Sequence, residues 1–183
     1  GCGKSTLMQI MAGILKPDGG ELCYFGKKAA YKSSTFRRFC GYVPQENPLM
    51  EELTVQDNLK LWGGSHNANT KELVAQFQLE DLLQTEVSKL SGGMKRRLSI
   101  ACALVENPPF LLMDEPTTAL DLYYKESIHQ WMKTYQQKNG IILMTTHDES
   151  EIRNADRCLF MDEGKVQELD AEDILQKFAG MSE

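Results

Sequence analysis

The sequence predicts an α/β fold built around a mainly parallel sheet, and three observations carry this prediction. Segments with strand character alternate with segments of helical periodicity along most of the chain. The apolar runs Phe110–Met113 and Ile141–Met144 are continuous, which is typical of parallel strands covered by helices on both faces. A glycine-containing turn, Gly1–Thr6, stands directly before an amphipathic segment, as where a loop feeds a helix in such folds.

The first quarter of the chain predicts one helix and two short strands. Apolar residues at helical spacing follow the glycine-containing turn, and Lys16–Gly20 ends that helix as a turn. These apolar residues are Leu7, Ile10, Met11, Ile14 and Leu15. Glu21–Phe25 is predicted as a short strand, 26–39 as a polar connection with some helix, and Cys40–Val43 as a strand stopped by Pro44.

The middle of the chain has helical periodicity. One helix opens with Thr54–Leu59 and a second spans Lys71–Phe77, and the polar turn 63–67 separates them. Ser91 is predicted to cap a third helix that runs to Glu106. We therefore predict a helical subdomain inserted between strands of the sheet.

The last third predicts a return to alternating elements and ends in a hairpin and a helix. The predicted elements are the helix Tyr123–Lys138, the strand Ile141–Thr145, the short helix Ser150–Ala155, the hairpin strands Arg157–Met161 and Lys165–Leu169, and the helix Asp173–Phe178. The hairpin is indicated by the turn signal Asp162, Glu163 and Gly164 between two strand-like runs.

Composition restricts the function classes. Acidic residues outnumber basic residues 26 to 20 and leave a formal charge of -6, which disfavours nucleic acid as the main ligand. The longest apolar runs fall far short of the roughly 20 residues that span a bilayer, so no direct membrane insertion is expected.

The five cysteines form no Cys-x-x-Cys pair and are interpreted as reduced thiols of a cytosolic protein. His66 and His129 lie in a polar turn and inside a predicted helix and are assigned no function.

The segment Gly1–Thr6 has the pattern of a phosphate-binding loop. It supplies the last six positions of G-x-x-x-x-G-K-[ST]. In that motif backbone N–H groups wrap phosphates, a lysine, here Lys4, neutralises them, and a hydroxyl, here Ser5, binds magnesium. The alternative is a chance turn of the same composition. Because the chain starts inside the motif and without methionine, we expect it to be truncated at its N-terminus, with a preceding β region mostly missing.

Ser91, Gly92 and Gly93 form a second segment suited to an anion. They open the third predicted helix, whose first backbone N–H groups have no intrahelical partner and, with the Ser91 hydroxyl, are available to a phosphate. An ordinary capped helix start is the alternative. The chain therefore contains two separate segments that are suited to binding phosphate, and the presence of both requires an explanation.

Polar residues follow three of the predicted strands. Asp114 and Glu115 come directly after one apolar strand, and Gln45 and His147 follow two others. Parallel strands end at one edge, where ligands bind, so Asp114 is predicted to organise magnesium and Glu115 to polarise a water for attack on a γ-phosphate. Gln45 would reach the metal or the water, and His147 would hydrogen-bond the γ-phosphate. Asp121 is predicted as a helix cap. The alternative is a structural role for His147 and simple exposure to solvent for Asp114, Glu115 and Gln45.

With these motifs in order, the chain resembles the nucleotide-binding domain of ATP-binding cassette (ABC) proteins over essentially its whole length. The matching elements are the end of Walker A (Gly1, Cys2, Gly3, Lys4, Ser5 and Thr6), the Q-loop (Gln45), the signature (Leu90–Met94), Walker B (Phe110–Glu115), the D-loop (Thr118–Asp121) and the switch histidine (His147). The resemblance implies a P-loop NTPase fold with ATP and Mg2+ as cofactors. It also implies a head-to-tail dimer in which Ser91 and Gly93 bind the γ-phosphate of the ATP held by the partner's Walker A loop.

The resemblance also divides the chain. We expect a single ABC ATPase domain over residues 1–183, in which 1–45 and 110–183 form a RecA-like core and 46–109 form the helical subdomain with the signature helix. Met94 stands where the family usually has glutamine, and we expect it to be tolerated because the backbone contacts remain. The expected magnesium ligands are Ser5, Gln45 and Asp114, and the expected nucleotide-binding residues are Gly1 to Thr6, Ser91, Gly92, Gly93 and Asp121.

The function that the resemblance implies is ATP hydrolysis that powers an ABC transporter. We expect a multidrug-type exporter, because Glu46–Met50 followed by Leu53–Leu59 resembles the corresponding stretch of such ATPases. The permease would be a separate transmembrane protein docked near Gln45, with this chain peripheral at the cytoplasmic face of the cell membrane. The alternatives are a soluble ABC ATPase in translation, DNA repair or cofactor assembly, and an inactive partial fragment. No second cassette or coiled-coil insertion is visible between Gln45 and Ser91.

Overall fold

The computed structural model describes residues 2–63, 69–118 and 120–180, without the side chain of Arg37. Its helices are α1 (Lys4–Met11), α2 (Ser34–Phe39), α3 (Val55–Gly63), α4 (Asn69–Gln76), α5 (Gly92–Leu104), α6 (Leu122–Gln137), α7 (Glu149–Arg153) and α8 (Ala171–Gly180). Its strands are β1 (Cys23–Tyr24), β2 (Lys27–Lys28), β3 (Cys40–Val43), β4 (Phe110–Asp114), β5 (Ile141–Thr145), β6 (Cys158–Asp162) and β7 (Lys165–Leu169). Short 3-10 turns at Glu80–Leu82 and Val87–Lys89 lie between α4 and α5.

The central sheet is parallel, as predicted. Its strands lie in the order β3, β4, β5, and Phe110 of the middle strand aligns with Cys40 on one side and Ile141 on the other. Residues Leu111–Met113 are 0% exposed, because α1, α5 and α6 pack against the sheet and leave no face of β4 for polar side chains. All three strands therefore end at the same edge of the molecule.

The described residues also form two antiparallel hairpins. β6 and β7 pair with Cys158 opposite Leu169, which confirms the predicted C-terminal hairpin. The first hairpin, β1 with β2, is shorter than the predicted strand Glu21–Phe25. The reason is that Phe25 and Gly26 take φ angles of 49 and 75 degrees, which turn the chain back after two strand residues.

The first helix is shorter than its apolar spacing predicts. α1 ends at Met11, whereas the spacing predicts a helix as far as Leu15. Gly13 takes a φ of 73 degrees, and a Cβ there would lie 2.6 Å from the ring of Phe36, so the chain leaves the helix at a position suited to glycine. Met8 is the buried residue of α1, and Leu15 is 39% exposed.

The third predicted helix, α5, joins the helical region to the sheet. It starts directly after Ser91, as predicted, and it ends at Leu104 rather than Glu106, because Asn107 takes a φ of 50 degrees and breaks the helical path. α5 packs on α3, α4 and β3. A single hydrophobic cluster contains side chains from all of these elements and from β4 and α6, including Val55, Leu59, Leu73, Leu98, Leu111, Ile128 and Trp131.

Parts of three predictions lie outside the described residues. They are Gly1 of the phosphate-binding loop, residues 64–67 of the polar turn with His66, and Ala119 of the segment Thr118–Asp121. Within the described ranges, no helix combines the length and the apolar character needed to cross a membrane.

Candidate functional site

The predicted phosphate-binding loop enters α1 through Gly3, which has a φ of 101 degrees. Cys2 and Lys4 are half-buried, and Ser5 and Thr6 are exposed in the first turn of the helix. This first turn contains no acidic residue, and no side chain caps it. Its backbone N–H groups and the positive end of the helix dipole are therefore available to an anion.

A second group of predicted residues meets at the sheet edge, by which we mean the ends of β3, β4 and β5 with the segments 44–45, 114–118 and 145–147. Asp114 is 3% exposed, and its Oδ1 accepts a hydrogen bond from Thr145 Oγ1. The backbone N–H of Glu115 donates to the Thr145 oxygen at 3.2 Å and to Thr145 Oγ1 at 3.0 Å. Thr145 thus fixes the ends of β4 and β5 to each other.

The carboxylate of Glu115 is the centre of this edge. Gln45 Nε2 donates to Glu115 Oε2 at 3.1 Å, and Thr118 Oγ1 donates to the same oxygen at 3.1 Å. His147 Nε2 lies 3.7 Å from Glu115 Oε1. The side chain of His147 is 59% exposed and that of Glu115 is 19% exposed. Of the three residues predicted to be catalytic, Gln45 and His147 therefore both lie beside the carboxylate of the third, Glu115, although the three residues follow separate strands.

The residues predicted to bind the partner's nucleotide, Ser91 and Gly93, lie at the start of α5. Asp121, a further predicted nucleotide-binding residue, lies directly before α6. Ser91 Oγ accepts from the Met94 N–H at 3.3 Å, and Asp121 Oδ1 accepts from the Tyr124 N–H at 3.0 Å. Both predicted caps are confirmed. Gly92 is exposed, whereas Gly93 is buried against the ring of Tyr124, which would lie 2.5 Å from a Cβ at this position.

A buried arginine beneath the sheet edge was missed by the sequence analysis. Arg96 of α5 is 4% exposed, and its guanidinium donates to backbone oxygens of both the 44–45 and the 114–116 segments. Burial lowers the pKa of Arg96 to about 10, against the opposing effect of the Asp114 carboxylate, so the group is charged at neutral pH. In the sequence Arg96 stands in a polar run between Lys95 and Arg97, which is typical of a solvated helix face and gives no signal of burial.

A second missed feature lies behind His147. Glu151 is 4% exposed, and its carboxylate accepts from Thr117 Oγ1 at 2.6 Å, from Thr146 Oγ1, and lies 2.8 Å from His129 Nε2. His129, to which the sequence analysis assigns no function, thus belongs to a buried polar network. The network connects the segment after β4 with the segment after β5, and a buried carboxylate requires such partners.

Asp148, next to His147, caps the short helix α7. Its carboxylate pairs with Lys125 and accepts from the backbone N–H groups of Ser150 and Glu151. The hydrogen bonds from Lys125 and Ser150 hold the pKa of Asp148 well below its ordinary value. The ring of Phe178, from α8, lies 5.8 Å from the His147 ring, centre to centre.

The chemistry of the predicted magnesium ligands, Ser5, Gln45 and Asp114, fits the ion only in combination with phosphate. Within the described residues, no group of three or more His, Cys, Asp or Glu side chains lies close enough to hold a metal ion. The predicted ligands supply a hydroxyl, an amide oxygen and one carboxylate, and Mg2+ is commonly held by one or two carboxylates together with substrate phosphates. The residues therefore suit an ion that arrives with a nucleotide.

Comparison with known proteins gives consistent results. Residues 1–118 match the family model described as "ABC transporter". The chain is 36% identical over 174 residues to the Nod factor export ATP-binding protein I of Rhizobium sp. (strain N33), covering 90% of this chain and 57% of that protein. It is 33% identical over 183 residues to the sulfate/thiosulfate import ATP-binding protein CysA of Xanthomonas campestris pv. campestris, covering 93% of this chain and 53% of that protein.

The fold is similar to that of solved ATP-binding cassettes. A dimeric cassette in a post-hydrolysis state, bound to ADP and Pi, superimposes with a TM-score of 0.82 at 29% identity, over 93% of this chain and 81% of that chain. The present chain spans about half the length of the two curated relatives named above. Since the family model covers well over half of the chain and the structural likeness covers nearly all of it, the chain belongs to the ABC transporter family.

Proposed function

We propose that this chain binds and hydrolyses ATP as the nucleotide-binding part of an ABC transporter. The observation that carries the proposal is the contact of the Glu115 carboxylate with Gln45, Thr118 and His147. Gln45 and His147 come from segments distant from Glu115 in sequence, and they meet it at the edge of a parallel sheet, where ligands of such folds bind. Family membership and the similarity to a cassette with bound ADP and Pi support the same assignment.

The phosphates of ATP would lie at the start of α1. Backbone N–H groups of the first turn would contact them, with Lys4 neutralising their charge. Further members of this proposed set are Gly1, Cys2, Gly3, Ser5 and Thr6. Mg2+, when bound with the nucleotide, would neutralise charge on the phosphates, with Ser5, Gln45 and Asp114 as its proposed protein ligands.

Glu115 would orient and deprotonate the attacking water. Its Oε2 accepts hydrogen bonds from Gln45 and Thr118, which hold the carboxylate in place. Its Oε1 lies 3.7 Å from His147 Nε2, too far for a direct hydrogen bond. Both groups therefore have hydrogen-bonding capacity left for a water molecule or a γ-phosphate oxygen.

A second copy of the chain would complete each site. Ser91 and Gly92 are exposed at the start of α5, and the buried Gly93 follows them. We propose that this helix start, formed by Ser91, Gly92 and Gly93, contacts the ATP held by the partner in a head-to-tail dimer, with Asp121 beside it. Leu122 and Tyr123 follow Asp121 and are 81% and 68% exposed. Apolar side chains of this size favour burial in an interface.

The transport partner would be a separate permease. Exposed apolar side chains accumulate after Gln45 and on α3, namely Met50, Leu53, Leu61 and Trp62. They provide a docking surface on the proposed helical subdomain 46–109, and 1–45 with 110–183 would form the core of the one domain. Docking there would hold the chain at the cytoplasmic face of the cell membrane.

Export is the proposed direction, of the multidrug type expected from the sequence. The resemblance of the Glu46–Leu59 region to exporter ATPases supports it, as does similarity to the Nod factor export protein. The sulfate/thiosulfate import protein matches at 33% identity, so import is the competing direction. A soluble ABC ATPase is the second alternative, and absence of any permease partner in a pull-down from membranes would favour it.

The Glu115→Gln variant tests the proposed reaction in the natural full-length protein. Glutamine keeps the shape of the side chain but cannot take a proton, so ATP should bind normally while hydrolysis falls by about 100-fold or more. The ATP-bound dimer should accumulate, as measured by size-exclusion chromatography with ATP and by phosphate release. Glu126→Gln is the matched control, because Glu126 is exposed on α6 and contacts Gln130 only through a 3.4 Å hydrogen bond. Hydrolysis at the unmodified rate by Glu115→Gln, or a monomer with ATP, would contradict the assigned role.

A further inference from the structure

The guanidinium of Arg96 uses all of its hydrogen-bond donors on backbone oxygens. Nε donates to the Pro116 oxygen at 2.9 Å. Nη1 donates to the oxygens of Pro44 and Gln45, at 2.5 and 3.4 Å, and Nη2 to those of Asp114 and Glu115, at 3.0 and 3.1 Å. A guanidinium has five N–H donors in a rigid planar fork, so each donor here has an acceptor. The positions of these carbonyl groups are therefore matched to one planar group.

These carbonyl groups belong to two chain segments that the sheet itself does not hold together. The last aligned pair between β3 and β4 is Val43 with Met113. The next residue of the first segment is Pro44, which has no N–H and cannot continue the ladder of backbone hydrogen bonds. Beyond this pair, the fork of Arg96 connects the two strand ends in place of the missing ladder.

The two connected segments carry the side chains that meet at the sheet edge. Gln45 follows Pro44 directly, and its amide donates to the Glu115 carboxylate at 3.1 Å. The backbone oxygens of both Gln45 and Glu115 are among the Arg96 acceptors. A shift of either segment by a fraction of a hydrogen-bond length would therefore change the Gln45 to Glu115 contact.

Arg96 has no acidic partner in an ion pair within the described residues. A buried cation that is compensated mainly by carbonyl dipoles is unfavourable unless the geometry is well satisfied. An apolar side chain of similar volume would avoid the desolvation penalty but would leave these backbone oxygens without a donor. Arg96 therefore satisfies the carbonyl groups of the two strand ends and at the same time fixes their relative geometry.

We propose that Arg96 is a positioning residue that holds Gln45 and Glu115 in the arrangement needed for hydrolysis. The inference rests on the proposed ATPase function of the same edge. Arg96 lies on α5, the helix that Ser91 caps.

Arg97 provides a matched control. It is the next residue of α5 and is buried to a similar degree, 5% exposed against 4% for Arg96. Its Nη1 donates to the Phe77 oxygen at 3.1 Å and to Gln78 Oε1 at 3.2 Å, on the side of α4 rather than at the sheet edge. Replacement of either arginine by lysine removes the planar fork from a buried site, but only at position 96 does it release the two strand ends.

The experiment compares Arg96→Lys, Arg96→Gln and Arg97→Lys in the natural full-length protein. Lysine offers three donors from one atom and cannot reach both segments, so kcat should fall by about 10- to 100-fold in Arg96→Lys, as expected for a displaced catalytic group. The dissociation constant for ATP should stay within about twofold of the unmodified value, since the phosphate-binding loop is untouched. Arg97→Lys should keep kcat within about twofold at a similar loss of thermal stability.

A rescue measurement separates positioning from mere structural support. In Arg96→Ala, millimolar guanidinium should restore part of kcat, because it refills the planar donor site, whereas ammonium at equal concentration should not. The Arg96→Gln variant leaves no charge in the buried site and keeps the test valid if Arg96→Lys does not fold.

Equal kcat values for the position 96 and position 97 variants, or a weakening of ATP binding that accounts for the whole loss, would overturn the proposal. If the unmodified protein does not hydrolyse ATP, the proposed function fails, and the role of Arg96 fails with it. If hydrolysis occurs and depends on Glu115 but not on Arg96, the positioning role alone is wrong.

Discussion

At the scale of single residues, the site depends on an unusual backbone conformation at Glu115. This residue takes a φ of 47 degrees, a left-handed conformation that costs an L-residue about 1–2 kcal/mol. Two hydrogen bonds from its N–H group to Thr145 hold the conformation. Such strain persists where the surroundings over-determine it, and it is concentrated at functional sites. Here it accompanies the placement of the carboxylate between Gln45 and His147.

Gly93 gives a prediction at the same scale. Gly93→Ala should lower the free energy of unfolding by about 1–3 kcal/mol, because its Cβ would overlap the Tyr124 ring and force one of them to move. Gly92→Ala is the matched control, since nothing lies within 4 Å of a Cβ there, and alanine is the better helix former. Urea unfolding of the two variants measures the difference.

The cause of that loss has its own test. In the background of Tyr124→Ala, Gly93→Ala should cost less than half as much, because the aromatic ring no longer occupies the space. A cost that is the same in both backgrounds would show that the overlap with Tyr124 is not responsible.

At the scale of helices and strands, capping residues fix where the functional segments begin. Ser91, Asp121 and Asp148 each accept a hydrogen bond from a backbone N–H at the start of a helix. Each cap lies at or directly beside a proposed functional residue. The cap satisfies N–H groups that the helix leaves unpaired, and it thereby sets the position from which the neighbouring side chains project.

Asp148 predicts a dependence of stability on pH. Its pKa in the folded chain is lowered below the ordinary value of an aspartate, 3.8, so the unfolded chain binds the proton more tightly. The stabilisation from Asp148 is therefore complete above this ordinary value and is lost as pH falls below it. Asp148→Ala should lower the free energy of unfolding by about 1 kcal/mol at neutral pH.

The decisive comparison is between unfolding free energies measured at several pH values. The difference in unfolding free energy between the unmodified protein and Asp148→Ala should shrink as pH is lowered below about 4, as measured by urea titrations at each pH. Asp148→Asn is the control that keeps a capping oxygen but removes the charge facing Lys125. A difference that does not change with pH would contradict an ionised cap.

At the scale of the whole molecule, one hydrophobic cluster joins the helical region to the sheet. Leu59 of α3, Leu98 of α5 and Leu111 of β4 are each 1% exposed or less and belong to this cluster. Removal of any of them leaves a cavity bordered by both regions. The two regions are therefore expected to share one cooperative unfolding transition.

The two tryptophans allow that expectation to be measured. Trp62→Phe leaves Trp131 as the fluorescent probe, and Trp131 is buried in the cluster at 6% exposure. Its fluorescence and the far-ultraviolet circular dichroism of all helices should change at the same urea concentration. Leu98→Ala should shift both transitions together, with a loss of about 2–5 kcal/mol. Separate midpoints would mean that the proposed subdomain 46–109 unfolds by itself.

Most of the architecture was predictable because it depends on local patterns. Strands β4 and β5 and the C-terminal hairpin lie where the continuous apolar runs and the turn signal predict them. α1 was predicted too long, because the apolar spacing continues as far as Leu15, although the helix ends at Met11 and Gly13 takes a φ of 73 degrees. The spacing of apolar residues does not report the backbone conformation of a glycine between them.

The sequence by itself determined the family, the alternation of strands and helices, and the residue types of the candidate site, because these are carried by short motifs and by the apolar character of each segment. Only the tertiary structure decided that Gln45, Glu115 and His147 meet, and that Arg96 lies buried beneath them. The physical reason is the range of the interactions. The acceptors of Arg96 lie between 18 and 52 positions away along the chain, and a polar side chain receives its partners only when the packing of the sheet and α5 brings those segments together.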